Sequence, residues 1–294
     1  MKQVLKNKNI EIQIDFPMEN YKKSRFDWTG KISAVIYKNK QLTANEKLNN
    51  QNDSLDGKGF YNEFGIELPI GFDEIKEGEW FHKIGVGLLK KEGANYLFNE
   101  NYEIQPAKFE VTTLTNKIKI DCESRSMNGF SYHLIKDIEL FENSFVLGYS
   151  LKNTGLKKII TNEYSHNFIS IDKELIDSNY VLKFPFQLNS ALFDATVNPK
   201  ENILIQTNEF TFKDNVKDEF FFSNLSAGKK VNASWELINK KAKIGIRETG
   251  SFETSKINLW GSNHVISPEL FFEINLNPNQ ELKWSRTYNL FEIE

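Results

Sequence analysis

The sequence predicts an all-β chain, built as a large antiparallel β-supersandwich. Short runs rich in β-branched and aromatic residues recur along its length, separated by turns of Asn, Gly, Asp and Lys. Helical periodicity is sustained nowhere. The 294 residues include 24 Phe, 10 Tyr and 5 Trp, an aromatic load that fits a thick interior between two packed sheets better than a barrel.

In chain order, residues 31–37 read as the first clear strand, with Ile32, Val35 and Ile36 among its apolar positions. Residues 42–58 are rich in Asn, Gln, Asp and Lys and read as a polar loop with little to bury. Short helical turns are expected near residues 72–75 and 173–176. Residues 117–122 form the next strand pattern. Residues 138–141 and 145–151 follow as a hairpin with Glu142-Asn143 at its tip. A turn at Asn153-Thr154-Gly155 leads into a strand over 157–161. Later strands are expected at 203–206, 210–212, 234–238, 243–247, 270–274 and 282–288. With no internal repeat and no convincing linker, the chain reads as one domain over residues 1–294.

The charge pattern narrows the possible partners. Net charge is −3, and lysines alternate with acids along the chain, which is the pattern of a solvated surface. Neither nucleic acid nor an anionic membrane surface is favoured as a partner. Cys122 is the only cysteine, so no internal disulfide and no cysteine metal cluster can form. Residues 1–15 lack a signal-like apolar core, and no run reaches the ~20 apolar residues of a membrane span. The expectation is a cytoplasmic protein.

Four histidines are available for chemistry. His133 sits mid-strand beside the hairpin and reads as structural. His82 precedes Gly85-Val86-Gly87, which lacks the third glycine and the Gly-Lys-Ser/Thr of phosphate loops. These glycines fit tight packing or a bulge instead. His166 stands in Tyr164-Ser165-His166-Asn167-Phe168, where Ser165 and Asn167 are candidates to fix the ring and Tyr164 and Phe168 to exclude water. Glu269 follows Ser267-Pro268 and precedes Leu270-Phe271-Phe272, so partial burial should raise its carboxyl pKa. Two readings stand for each residue: a satisfied core group, or half of an acid–base pair able to open a sugar hemiacetal. No metal-ligand spacing and no Gly-x-Ser-x-Gly elbow occurs, so neither a metal site nor a serine hydrolase is expected.

The motifs occur together in one order. Arg25-Phe26-Asp27-Trp28-Thr29-Gly30 comes first, then Asn62-Glu63-Phe64 and Lys83-Ile84-Gly85-Val86-Gly87. Asn153-Thr154-Gly155, Tyr164-Ser165-His166-Asn167-Phe168 and Ser267-Pro268-Glu269 follow. In that order the chain resembles a bacterial branch of the galactose mutarotase-like (aldose 1-epimerase-like) proteins from about residue 20 to the end. The resemblance implies an antiparallel β-supersandwich with an open sugar cleft. It implies His166 as the group that protonates the ring oxygen and Glu269 as the base on the anomeric hydroxyl. It further implies Arg25, Glu63 and Lys83 around the sugar, with His82 as a stand-in for a second histidine or an incidental residue. Trp260 is a candidate for stacking on a sugar face. The Gly-Arg-Tyr-x-Asn-Arg-Ile stretch of galactose mutarotases is absent, which leaves the sugar open, uronic acids and sugar phosphates included. The expected partner is a monosaccharide, with no cofactor. Two alternatives stand beside the mutarotase: a carbohydrate-binding module without turnover, and a lyase or hydrolase with Glu269 or Lys83 as base.

Overall fold

A computed structural model gives the architecture. It describes residues 3–48 and 56–294. The described residues form antiparallel strands and four single 3₁₀ turns, without an α-helix. The fold is the predicted all-β antiparallel sandwich. A seven-stranded sheet carries Phe60–Phe64 beside Ile159–Asn167, which pairs in turn with Phe272–Leu276. A ten-stranded sheet carries Tyr132–Leu140, Ser144–Asn153, Glu281–Glu292 and Ile244–Thr254 side by side. Smaller sheets of four and three strands complete it, the four-stranded one ending in Ile257–Ser262 and Val265–Leu270.

The pleat explains the core. Along Tyr132–Leu140 and Ser144–Asn153 burial alternates residue by residue, sending Leu134, Ile138, Leu147 and Leu151 inward. Rings from the two large sheets meet between them. Phe60 lies 4.8 Å from Tyr288, and Phe272 stacks on Trp284 at 4.6 Å.

Several boundaries differ from the sequence reading. The hairpin forms with Glu142-Asn143 in its turn, closed by Phe141 N–H donating to Ser144 O. The strand expected over 157–161 instead runs Ile159–Asn167, so His166 belongs to the strand itself. It is buried throughout from Thr161, because sheets or loops cover both faces. The apolar run 270–274 is broken at Phe271, where the chain passes from one sheet to another. Phe271 is instead stacked on Tyr164 at 4.7 Å. Turns of 3₁₀ type form at Phe72–Glu74 and Ile171–Lys173, close to where helical turns are expected.

Of the polar stretch 42–58, residues 49–55 lie outside the described residues. Its described ends are anchored rather than solvated. Leu42 is fully buried, Thr43 bridges to Ile169, and Asn45 bridges to Lys58. Gly85 and Gly87 take positive φ, and a side chain at either would collide with Asp27 or with the carbonyl of Gln105. They serve packing, as read from the sequence.

Candidate active site

Strand alternation divides the Ile159–Asn167 strand between two environments. Glu163, Ser165 and Asn167 face the ten-stranded sheet, whereas Tyr164 and His166 face the opposite side, into a cleft of about 330 Å³. Val265–Leu270 delivers Glu269 to the same cleft, and its approach to the first strand is fixed by the Ile169–Ile266 bridge. Nε2 of His166 lies 3.3 Å from Oε1 of Glu269, and both side chains are more than nine-tenths buried.

The imidazole is held on three sides. Ser267 Oγ sits 2.8 Å from Nδ1 and also accepts the Asn167 N–H at 3.0 Å. Phe168 stacks on the ring at 4.0 Å, and Trp260 meets it edge-on at 5.4 Å. The flanking Ser165 and Asn167 do not fix the ring, in contrast to the sequence reading. Neighbours in a strand point to opposite faces, so Ser165 donates to Asn167 Oδ1 on the inner side. Ser267, two residues before Glu269 in the Ser267-Pro268-Glu269 motif, takes that role.

Burial lowers the His166 pKa well below 6.5, and the nearby Arg25 charge lowers it further. Burial pushes Glu269 up to about 8, against the opposing effect of Arg25 and the hydrogen bond from Asn258. Near neutral pH the pair therefore holds one proton. With it on Glu269, the carboxyl O–H donates to Nε2; with it on the ring, Nε2–H donates to the carboxylate.

Beneath the cleft a buried ionic network ties the two strands to the ten-stranded sheet. Asn167 Nδ2 donates to Glu248 Oε2 at 2.9 Å and to the carbonyl of Pro268 at 2.7 Å. Arg286 donates to Glu248 and Glu163, each at 2.7 Å, and Trp235 Nε1 donates to Glu248. Asn62 links Glu163 onward to Lys136. Pro268 has no N–H to offer a neighbour, and its carbonyl is used instead.

The other expected site residues separate into two groups. Arg25 and Trp260 line the cleft with His166 and Glu269. Glu63 and Lys83 do not: both are sealed beneath it, a correction to their expected place around the sugar. Glu63 accepts from Lys83 at 3.2 Å, from Arg25 Nε at 3.1 Å and from Tyr164 OH at 2.8 Å. It anchors the wall instead of meeting a ligand, because its register partner Tyr164 covers it. Lys83 also donates to Tyr96 OH, and sealed from the cleft it is out of reach as an alternative base. His82 is likewise away from the cleft, packed edge-on against Tyr132 and Phe130, where burial pushes its pKa down to about 4. It does not take the place of a second site histidine. His133 lies on the outer face of its strand, 3.1 Å from Asp121, as a structural reading requires. Sequence reasoning missed Glu46, Phe98, Phe221, Asn258 and Phe271 in the wall. None stands in a motif, and only the fold brings them together.

No protein-family model and no curated protein matches the chain. Solved structures do match in fold, several of them galactose mutarotase-like. A galactose mutarotase-like protein from Lactobacillus casei aligns over 99% of this chain and 100% of its own, at 12% identity and a TM-score of 0.62. A galactose mutarotase related enzyme from Lactobacillus acidophilus aligns over 100% of both, at 11% identity and 0.60. The protein Slr1438 of Synechocystis sp. PCC 6803 aligns over 100% of this chain and 96% of its own, at 11% identity and 0.62. The chain thus has the galactose mutarotase-like β-sandwich fold. At these identities the likeness establishes fold alone. Among the described residues no helix is long and apolar enough to cross a membrane, and no three His, Cys, Asp or Glu side chains come together as a metal site needs.

Proposed function

We propose that this protein interconverts the anomers of an aldose by paired proton transfer between the sugar, His166 and Glu269. The single observation that carries this is the 3.3 Å contact between Nε2 and Oε1, made in a cleft between a buried imidazole whose pKa is lowered and a buried carboxyl whose pKa is raised to about 8. In the reaction Glu269 takes the proton from the C1 hydroxyl while His166 gives one to the ring oxygen. The C1–O5 bond breaks as the C1 carbonyl forms, with both electron pairs accounted for. Rotation about C1–C2 presents the other carbonyl face, and the reverse transfers close the ring and restore the pair. No oxidant, reductant or metal enters the balance. A positioned acid or base contributes typically about 10²–10⁴-fold. Trp260, beside both strands, supplies an aromatic face for the apolar side of a sugar ring.

The test is exchange between anomer signals by NMR on a panel of aldoses. Acceleration by the parent protein, lost in Glu269→Gln and in His166→Asn, supports the reading. Sugar binding without acceleration replaces it with a binding module. A product of changed mass replaces it with a lyase or hydrolase.

A further inference from the structure

Among the described residues that line the cleft, Arg25 is the one permanent cation, and it is already engaged by two carboxylates. Arg25 donates from Nε to Glu63 and from Nη1 to Glu46 at 3.0 Å. Its guanidinium lies 4.5 Å from the Phe26 ring centre and 4.6 Å from that of Phe98, so both rings pack against it. Glu46 is itself fixed, since its other oxygen accepts the Gly57 N–H at 2.9 Å. A guanidinium paired with two carboxylates and packed against two aromatic rings has less to offer an incoming carboxylate or phosphate than a free one.

The remaining charges of the wall are acidic. Glu46, Glu67 and Glu219 line the cleft, whereas burial keeps Glu269 protonated near neutral pH. Glu67 is paired with Lys256 at the rim, and Glu219 is exposed. Lys23 and Lys47 line a separate hollow of about 260 Å³ that shares Arg25, Glu46 and Phe98 with the cleft as a common wall. An anionic sugar would therefore meet carboxylates without a free cation, whereas an ammonium would be attracted.

We propose that the cleft selects an aldose bearing an amino group over one bearing a carboxylate or phosphate, with Glu46 as the specificity-determining residue that keeps Arg25 occupied. This rests on the sugar cleft proposed above, and it removes the uronic acids and sugar phosphates that the sequence left open. Glu46→Gln keeps the shape and can still accept from Nη1 but removes the carboxylate charge, which leaves Arg25 less neutralised and more attractive to an anion.

The test compares glucosamine, glucose, glucuronate and glucose 6-phosphate, each for binding by calorimetry and for anomer exchange by NMR, with the parent and with Glu46→Gln. The expected order in the parent is amino sugar, neutral sugar, then the two anions, with at least about tenfold between the first and last, the scale of a charge contact in a partly screened site. Glu46→Gln should raise binding of the anions relative to the neutral sugar by a similar factor, and added salt should narrow the parent's order. Should Glu46→Gln fail to fold, the salt dependence and the order in the parent decide. An anion bound more tightly than glucose overturns the selectivity and leaves the mutarotase reading intact. The predicted order in binding without anomer exchange upholds the selectivity and overturns the mutarotase reading. No binding or turnover of any of the four, galactose counterparts included, overturns both.

Discussion

His166 and Glu269 meet at 3.3 Å although they belong to strands of different sheets, one in the interior of the seven-stranded sheet and one at the edge of the four-stranded sheet. The contact is held from below. Asn167 donates its backbone N–H to Ser267 and its side-chain amide to the Pro268 carbonyl, so the residues flanking the pair are stitched together.

Glu269→Gln should abolish anomer exchange while sugar binding persists, because the amide keeps the shape but accepts no proton. His166→Asn should be as severe. The double variant should cost little more than either single one, since both transfers belong to one ring-opening event. Exchange rates by NMR measure this; additive losses in the double variant would show that the two groups act separately.

The rate should fall as pH rises through about 8, where Glu269 loses the proton that the pair needs. Stability follows the same group. Its folded pKa is raised above 4.5, so the stabilising contribution of its protonated form is complete at low pH and is lost as pH rises through about 8. Glu269→Gln should therefore gain stability on the parent between pH 6 and pH 9, as urea midpoints would reveal. A gap that stays constant across that range would contradict the burial argument.

Ser267→Ala should lower the exchange rate by about tenfold to a hundredfold with little change in KM, because the imidazole loses the partner of Nδ1. The ¹⁵N shifts of the His166 ring should change with it. Unchanged shifts would mean that the stacking of Phe168 suffices to hold the ring.

Arg286→Met should destabilise the fold by about 3–5 kcal/mol, since it leaves Glu163 and Glu248 as buried carboxylates without their cation. Urea denaturation measures the loss. A variant within about 1 kcal/mol of the parent would show that Asn62 and Trp284 Nε1, which donate to Glu163, and Asn167 and Trp235, which donate to Glu248, satisfy the acids unaided.

His82→Leu should leave anomer exchange intact and flatten the acid limb of stability. The His82 pKa is depressed from 6.5 to about 4, so the stability it contributes is complete above 6.5 and lost as pH falls through about 4. Leucine carries no such term. A rate loss in this variant, with normal stability, would return His82 to the site.

The strand content, the hairpin at Glu142-Asn143 and the choice of His166 and Glu269 as candidates were legible in the sequence, because each rests on local signals. Those signals are β-branched and aromatic runs, turn residues, and a histidine and a carboxylate inside motifs. Strand limits were less legible. The strand through His166 runs on past Thr161 because it is covered on both faces, which leaves no polar alternation to read.

What only the tertiary structure decided is which side chains share a space. Glu63 and Lys83 carry charge in the sequence as a binding residue would, yet the register of Glu63 beside Tyr164 and its pairing with Lys83 seal both under the cleft. Glu46 stands in a polar stretch with no motif, yet it reaches Arg25 and determines what that cation can accept. A strand's alternation is local and can be read along the chain. The pairing of charges across sheets depends on which strands become neighbours, and burial and desolvation act only once they have.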